Sequence, residues 1–416
     1  MILQKIVWAV IMFTFSQELH RHTRRARAFS LVFLLFFSLF SVVGLVIVRG
    51  KAEGINYSIK STITYVNPRE GTRIWNLTND DRTVGLFMNT SWQSVGFQNA
   101  TYPLDTMTND TDGNKIAVLK LPKTRLHPGE NVSFTVEYAV ASKPRTIPNI
   151  SEEQSGTFDE IPSELKKKYT GAEGPWLVNE PTLVGLAHQI ALNETKVLTT
   201  IKNFVGWIKR NINYTTHEVP FYPNETLIAR KGDCDDQAIL LITLSRIVGI
   251  PSYLQIGAIY TPEQGLVDET YWDGHVRAVQ EKIGWHGWAM VYVPLWGWLP
   301  VDLTYVLADL SSDPLNAIRY GAVAWQKTIQ YMNFSKLDYV AMSRQTRSFI
   351  IENGFFVDLR DEMTETQQNS LVGRLDPMVA FVFGTATVIL LVSSLLIAHR
   401  WRRHPEKLEA PAPLSS

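Results

Sequence analysis

The chain has one cysteine, Cys234, and its neighbours are residue types that bear directly on thiol chemistry. It stands in the segment RKGDCDD, residues 230–236, where Asp233 is a good helix N-cap and Gly232 permits a sharp entry. We therefore expect Cys234 in the first turn of a helix, where the helix dipole stabilises a thiolate. The three flanking aspartates oppose a thiolate by like-charge repulsion, so an activating cation must lie close.

The candidate for that cation is His286, in the segment GWHGW, residues 284–288. It begins a predicted strand that runs to Val293, turns, and returns as residues 298–303. A hairpin of this length places Asp302 beside His286. An adjacent carboxylate fixes the imidazole tautomer while the imidazole takes the thiol proton. Each residue alone has an ordinary structural explanation, but together with the only cysteine they indicate a nucleophile, a base and an orienter.

The elements around these residues predict an α+β domain. Apolar residues recur at helical spacing over residues 182–192 and 196–212, and a third helix is predicted from Asp235 to Val248, stopped by Gly249 and Pro251. Predicted strands follow at residues 252–260, 276–279, 287–293 and 298–303. Helices first and an antiparallel sheet afterwards are typical of the α+β class.

The preceding part of the chain has a different pattern. Short β-rich runs separated by turn signals predict a β-sandwich domain over residues 50–141. A polar, proline-containing connector is expected at residues 142–180, and the domain with the candidate site at residues 181–375.

Residues 201–305 resemble the transglutaminase-like superfamily, a papain-like cysteine fold. The resemblance rests on a helix ending in NINY at residues 211–214, the KGDCDD element at 231–236, and a helix closed by GIP at 249–251. It continues with HGW at 286–288 and GWLPVD at 297–302. Met290 departs from the family, many of whose members carry an acid at that position.

The resemblance implies acyl chemistry at Cys234, with His286 as base and Asp302 as its partner. The thiolate would attack an amide carbonyl of a protein or peptide substrate and form a thioester, which water hydrolyses or an amine converts by transamidation. The Cys234 backbone N–H would be one oxyanion donor. The alternative is a non-catalytic envelope protein, binding or structural, that retains the fold.

Trp285 and Trp288 are candidates for lining a substrate groove, although aromatic residues in strands are also typical of cores. The acids around Cys234, with His275, lack the spacing of a calcium or zinc site, so neither a metal nor a cofactor is expected.

Two apolar segments predict transmembrane helices, at residues 29–49 and 376–399, each close to the ~20 residues that a span requires. Arginines precede the first and follow the second, and positive charge is retained on the cytoplasmic side. We therefore expect residues 1–28 and the tail 400–416 in the cytoplasm, and the large domain outside the cell membrane. A cleaved signal peptide is the alternative for the first segment.

Glycosylation signals agree with this topology, because all eleven Asn-x-Ser/Thr triplets fall between the two apolar segments. Such an excess is typical of an archaeal envelope or a eukaryotic cell exterior. With 40 basic and 40 acidic residues, no net charge favours nucleic acid as a partner, which leaves a protein or peptide substrate and the lipid bilayer. The candidate glycosylation sites are Asn56, Asn76, Asn89, Asn99, Asn109, Asn131, Asn149, Asn193, Asn213, Asn224 and Asn333.

Overall fold

The computed structural model of the protein describes residues 54–366. Its strands are β1 (Ile55–Val66), β2 (Trp75–Asn76), β3 (Thr83–Gly85), β4 (Gln93–Ala100), β5 (Leu104–Asn109), β6 (Lys115–Leu119), β7 (Arg125–Leu126), β8 (Asn131–Ser142), β9 (Asn213–Tyr214), β10 (Lys231–Gly232), β11 (Ser252–Tyr260), β12 (Leu266–Tyr271), β13 (Val276–Glu281), β14 (Ile283–Val293), β15 (Gly297–Val301), β16 (Thr328–Phe334) and β17 (Phe356–Thr366). Its α-helices are α1 (Asn79–Arg82), α2 (Ser163–Tyr169), α3 (Pro181–Ala191), α4 (Val197–Asn211), α5 (Pro223–Ala229), α6 (Cys234–Ile247), α7 (Asn316–Arg319) and α8 (Tyr339–Asn353).

Among residues 54–366, no helix combines the length and the apolar character that crossing a membrane requires. The predicted spans at residues 29–49 and 376–399, and both predicted cytoplasmic ends, lie outside the described residues.

Helix α6 is the centre of the α+β core. Twelve of its fourteen residues are buried, so it is covered on all sides rather than on one face, as expected for a central helix. It packs with α3 and α4 against a four-stranded antiparallel sheet of order β15-β14-β11-β16. The predicted helix after Cys234 and the strand at residues 252–260 are therefore confirmed, which establishes the α+β class.

The two ends of α6 have the local causes that the sequence indicates. At its start, the Asp233 carboxylate accepts the Asp236 N–H, and the Asp236 carboxylate accepts the Asp233 N–H, which forms a capping box. At its end, Gly249 adopts a φ of +86°, and the N–H of Ile250 donates to the Ser245 carbonyl at 2.8 Å.

The larger sheet is shared between distant parts of the chain. Its order is β12-β13-β17-β1-β8-β4, so strands from residues 266–281 and 356–366 extend the sheet that β1, β8 and β4 begin. The strands predicted within residues 50–141 therefore do not form a separate sandwich by themselves. The physical reason is that both edges of β1 need a partner strand. Strand β8 pairs with one edge and β17 with the other, and β17 in turn pairs in parallel with β13.

The predicted connector, residues 142–180, is packed rather than extended and polar. It contains α2, and Trp176 is fully buried, with its indole N–H donating to the Ser335 carbonyl at 2.8 Å. The Arg246 guanidinium, from α6, lies 4.3 Å from the Trp176 ring centroid. This segment therefore contributes to the core.

Gly257, in the middle of β11, provides a test of the packing between sheet strands. A Cβ there would lie 2.5 Å from the Ile329 carbonyl oxygen and 2.7 Å from the Trp288 ring. We expect Gly257→Ala to lower the free energy of unfolding by about 1–3 kcal/mol, measured by urea denaturation. Gly284→Ala in the adjacent strand is the control, because its Cβ would meet atoms no nearer than 4.0 Å. Equal stability of the two variants would contradict this account.

Candidate active site

Cys234 begins α6 and lies on the wall of a cleft, with its side chain partly exposed. The backbone N–H of Gly287, in β14, donates to its sulfur. Gly287 has no side chain, and a Cβ there would lie 3.2 Å from the Asp235 Cβ. The glycine therefore lets the first turn of α6 approach the strand closely enough for a backbone amide to reach the thiol.

His286 precedes Gly287 in β14 and forms the hydrogen bond that the predicted hairpin requires. Its Nε2 lies 2.9 Å from the Asp302 Oδ2, and both side chains are buried. Because Nε2 is engaged with the carboxylate, Nδ1 is the ring nitrogen that can take the Cys234 proton. The structure thus brings His286 and Asp302 into contact and places Cys234 against the residue next to the histidine.

Asp302 follows β15 and is held by backbone groups as well as by His286. Its Oδ1 accepts the N–H groups of Thr304 and Tyr305 at 3.1 and 3.0 Å, and its Oδ2 accepts that of Ala322 at 3.0 Å. Four donors to a fully buried carboxylate compensate its desolvation and fix the direction in which it presents Oδ2.

Sequence reasoning did not identify the segment that supplies one of these donors. Gly321 comes so close to Asp302 that a Cβ would lie 2.7 Å from the aspartate Cβ, which allows the next residue, Ala322, to donate its N–H. The only signal in the sequence is the glycine itself, about twenty residues after the aspartate.

The Cys234 thiol is not poised as a thiolate. Burial raises its pKa well above the ordinary value, the charges of Asp235 and Asp233 raise it further, and the Gly287 N–H opposes the rise only in part. At neutral pH the proton therefore resides on sulfur, and reaction requires a base.

Two of the acids beside Cys234 also have raised pKa values. Burial, followed by the Asp233 charge, raises the pKa of Asp236 to about 7. Burial also raises the pKa of Asp235 well above its usual range, although the Tyr339 hydroxyl donates a hydrogen bond to it. For the thiol too, burial is the largest cause of the raised pKa. Ligand atoms of Asp233, Cys234 and Asp235 lie within 4.8 Å of one another, but the Asp233 carboxylate is already engaged as the helix cap.

The cleft beside Cys234, called here the Cys234 cleft, has a volume of about 1310 Å³. Trp285 lines it, as predicted, and donates its indole N–H to Asp361 at 2.8 Å. The prediction for Trp288 is wrong, because its side chain is fully buried and packs against Met290 and Val323. Trp288 lies three residues after Trp285 in β14, so its ring is on the opposite face of the strand and is buried in the sheet.

Tyr214 and His217 also belong to this site, and only the NINY element in the sequence indicated their region. Strand β9 pairs in parallel with β10, with Tyr214 opposite Gly232, which brings both residues to the wall of the Cys234 cleft. Partial burial and the Cys234 charge raise the pKa of Tyr214 to about 12. The His217 Nδ1 lies 3.9 Å from the Asp236 Oδ2.

Residues 184–303 match the transglutaminase-like superfamily. The described part of the chain is an α+β protein, and its segment 184–303 is similar to that superfamily.

The solved structures to which the chain is similar have low sequence identity with it. A candidate cysteine protease from Cytophaga hutchinsonii is 14% identical, with a TM-score of 0.47 over 76% of this chain and 92% of that chain. The periplasmic domain of TgpA from Pseudomonas aeruginosa is 15% identical, with a TM-score of 0.30 over 64% of this chain and 91% of that chain. No curated protein matches the chain.

The raised pKa of Cys234 predicts how the thiol reacts with iodoacetamide. At pH 7, we expect alkylation of the folded protein to be at least about tenfold slower than that of the urea-unfolded chain, because only the thiolate reacts. The folded rate should keep rising above about pH 8.5, where an ordinary cysteine levels off. Mass spectrometry after timed quenching measures both rates, and the chain has no second cysteine to interfere. A folded rate that levels off below pH 7 would instead reveal a resting thiolate–imidazolium pair.

Proposed function

We propose that the protein is a cysteine enzyme that cleaves or transfers amide bonds of proteins or peptides through a thioester. The observation that supports this most directly is the buried hydrogen bond between the His286 Nε2 and Asp302, next to a thiol that faces a cleft. A cysteine with only a packing role would need neither an oriented imidazole nor access to solvent.

In the proposed mechanism, His286 accepts and returns the proton in each step. His286 Nδ1 takes the thiol proton as the sulfur attacks the carbonyl carbon, so a C–S bond forms while the imidazolium is stabilised by Asp302. The developing oxyanion accepts the Cys234 backbone N–H, one of the unpaired donors at the start of α6. The imidazolium then gives its proton to the leaving amine as the C–N bond breaks. Water or a second amine attacks the thioester, with His286 again as base, and the thiol is restored.

A protonated resting thiol favours this general-base route over attack by a preformed thiolate. Burial raises the pKa of Cys234, so separation of charge before substrate binds is costly. The Asp302 carboxylate lowers that cost only at the moment when His286 becomes cationic. The carboxylate is therefore part of the proposed mechanism, as well as of the fold.

We also propose that the enzyme is displayed outside the cell and held by its two apolar segments. In support, eight of the eleven candidate glycosylation asparagines are exposed. Asn333 is an exception, because its side-chain oxygen accepts the Gln255 amide at 2.7 Å within the four-stranded sheet. Enzymatic deglycosylation of protein from its native membrane, followed by intact-mass measurement, tests this part of the proposal.

Substitutions at the three residues test the proposed activity. We expect Cys234→Ala to abolish turnover, and His286→Ala and Asp302→Asn each to reduce it by about 10²–10⁴-fold, because the base is lost or wrongly oriented. Cleavage of a degenerate peptide library, read by mass spectrometry, measures hydrolysis. Incorporation of a fluorescent primary amine into casein measures transfer.

His188→Ala is the matched control, because His188 is an exposed residue of α3 away from the site. It should leave turnover unchanged. Activity that persists in folded Cys234→Ala protein would disprove the proposal. Absence of both reactions in the wild-type protein, at any pH from 5 to 9, would favour the non-catalytic alternative.

A further inference from the structure

The floor of the Cys234 cleft is a face of the larger sheet. Lining residues come from four consecutive strands of that sheet: β12, β13, β17 and β1. With strands about 4.8 Å apart, the floor is about 14 Å across, enough for about four residues of an extended chain. Helix α8 forms the opposite wall through residues such as Phe349. The cleft therefore has the length of a polypeptide segment rather than of a single side chain.

The charges on the walls of this cleft have one sign. Among the described residues that line it, none is a lysine or arginine, whereas five are acidic: Asp80, Asp81, Glu218, Asp233 and Glu269. They stand at separate places along the cleft, on α1, on β12 and on the loop after β9, as well as beside the thiol. Their fields therefore add over its length.

Most of this charge is not neutralised within the protein. Among residues 54–366, neither Asp80 nor Glu269 has an ion-pair partner, and both are exposed. Glu218 has only a distant one, the Arg347 Nε at 3.8 Å. A ligand with positive charge can thus use carboxylates that the fold leaves available.

Half-buried aromatic rings accompany these carboxylates. Tyr271 and Trp272 line the cleft as Glu269 does, and the Trp272 indole N–H donates to the Glu218 carbonyl at 3.1 Å, which holds the ring beside Glu218. Rings beside carboxylates bind both the apolar stem and the cationic head of lysine and arginine.

We infer that the Cys234 cleft recognises an extended polypeptide segment rich in lysine and arginine. This inference rests on the proposed function, because it names the substrate class of that site. It adds a selectivity that the catalytic residues do not supply: a segment with Asp or Glu would be repelled along the same 14 Å.

Peptide binding to the Cys234→Ala protein tests the inference without turnover. The probes are a fluorescein-labelled dodecapeptide of alternating Lys, Ala, Arg and Tyr, and the same peptide with Glu in place of every Lys and Arg. Fluorescence anisotropy at ~50 mM salt should show at least about tenfold tighter binding of the basic peptide, a preference that shrinks at ~500 mM salt as screening increases.

Paired substitutions locate the site. Asp80→Asn with Glu269→Gln should weaken the basic peptide about 3- to 10-fold. The control is Asp358→Asn with Glu352→Gln, which makes the same charge change at exposed residues that do not line the cleft. Asp358 stands in β17 between the lining residues Val357 and Leu359, so its side chain is on the other face of the strand. This control should leave binding unchanged. Thermal melts of both double variants verify folding.

The results distinguish failure of this inference from failure of the proposed function. Equal binding of the two peptides, no binding of either, or equal effects of the two double variants would overturn the inference. If basic peptides bind selectively but the wild-type protein never turns over substrate, the proposed function fails and the recognition surface stands. If the enzyme is active but processes acidic and basic library members alike, the activity stands and the inference fails.

Discussion

The site depends on the close approach of α6 to β14 at Gly287. The first turn of α6 lies so near this strand that a Cβ at Gly287 would stand 3.2 Å from the Asp235 Cβ, tighter than ordinary van der Waals contact. The same glycine donates its N–H to the sulfur, and the residue before it is the histidine. One contact between backbone elements therefore positions the nucleophile relative to its base.

The second constraint is the full hydrogen bonding of Asp302. A buried carboxylate is costly unless its oxygens are satisfied, and here three backbone N–H groups and an imidazole satisfy them. The loop at Gly321 exists in this form because only a residue without a Cβ can come so near the aspartate. The orientation of His286 thus depends in part on a loop that holds its partner, Asp302.

The shared sheet explains why the site has a cleft. In the larger sheet, β17, from the end of the described chain, lies between β1, from its beginning, and β13. Their common face forms the floor, and the Cys234 wall belongs to the helical core. Neither part alone would contain both the thiol and the surface that faces it. Burial is also the largest cause of the raised thiol pKa.

Local patterns were enough to predict the helix after Cys234, the hairpin that pairs His286 with Asp302, and the α+β class. Capping, hydrophobic period and turn length act over a few residues, so they can be read in the amino-acid order. Long-range packing decided the rest. It buried Trp288, joined β12, β13 and β17 to β1, packed the segment at residues 142–180, and raised the pKa of Cys234. Burial and strand partnership depend on residues hundreds of positions away, and no local period records them.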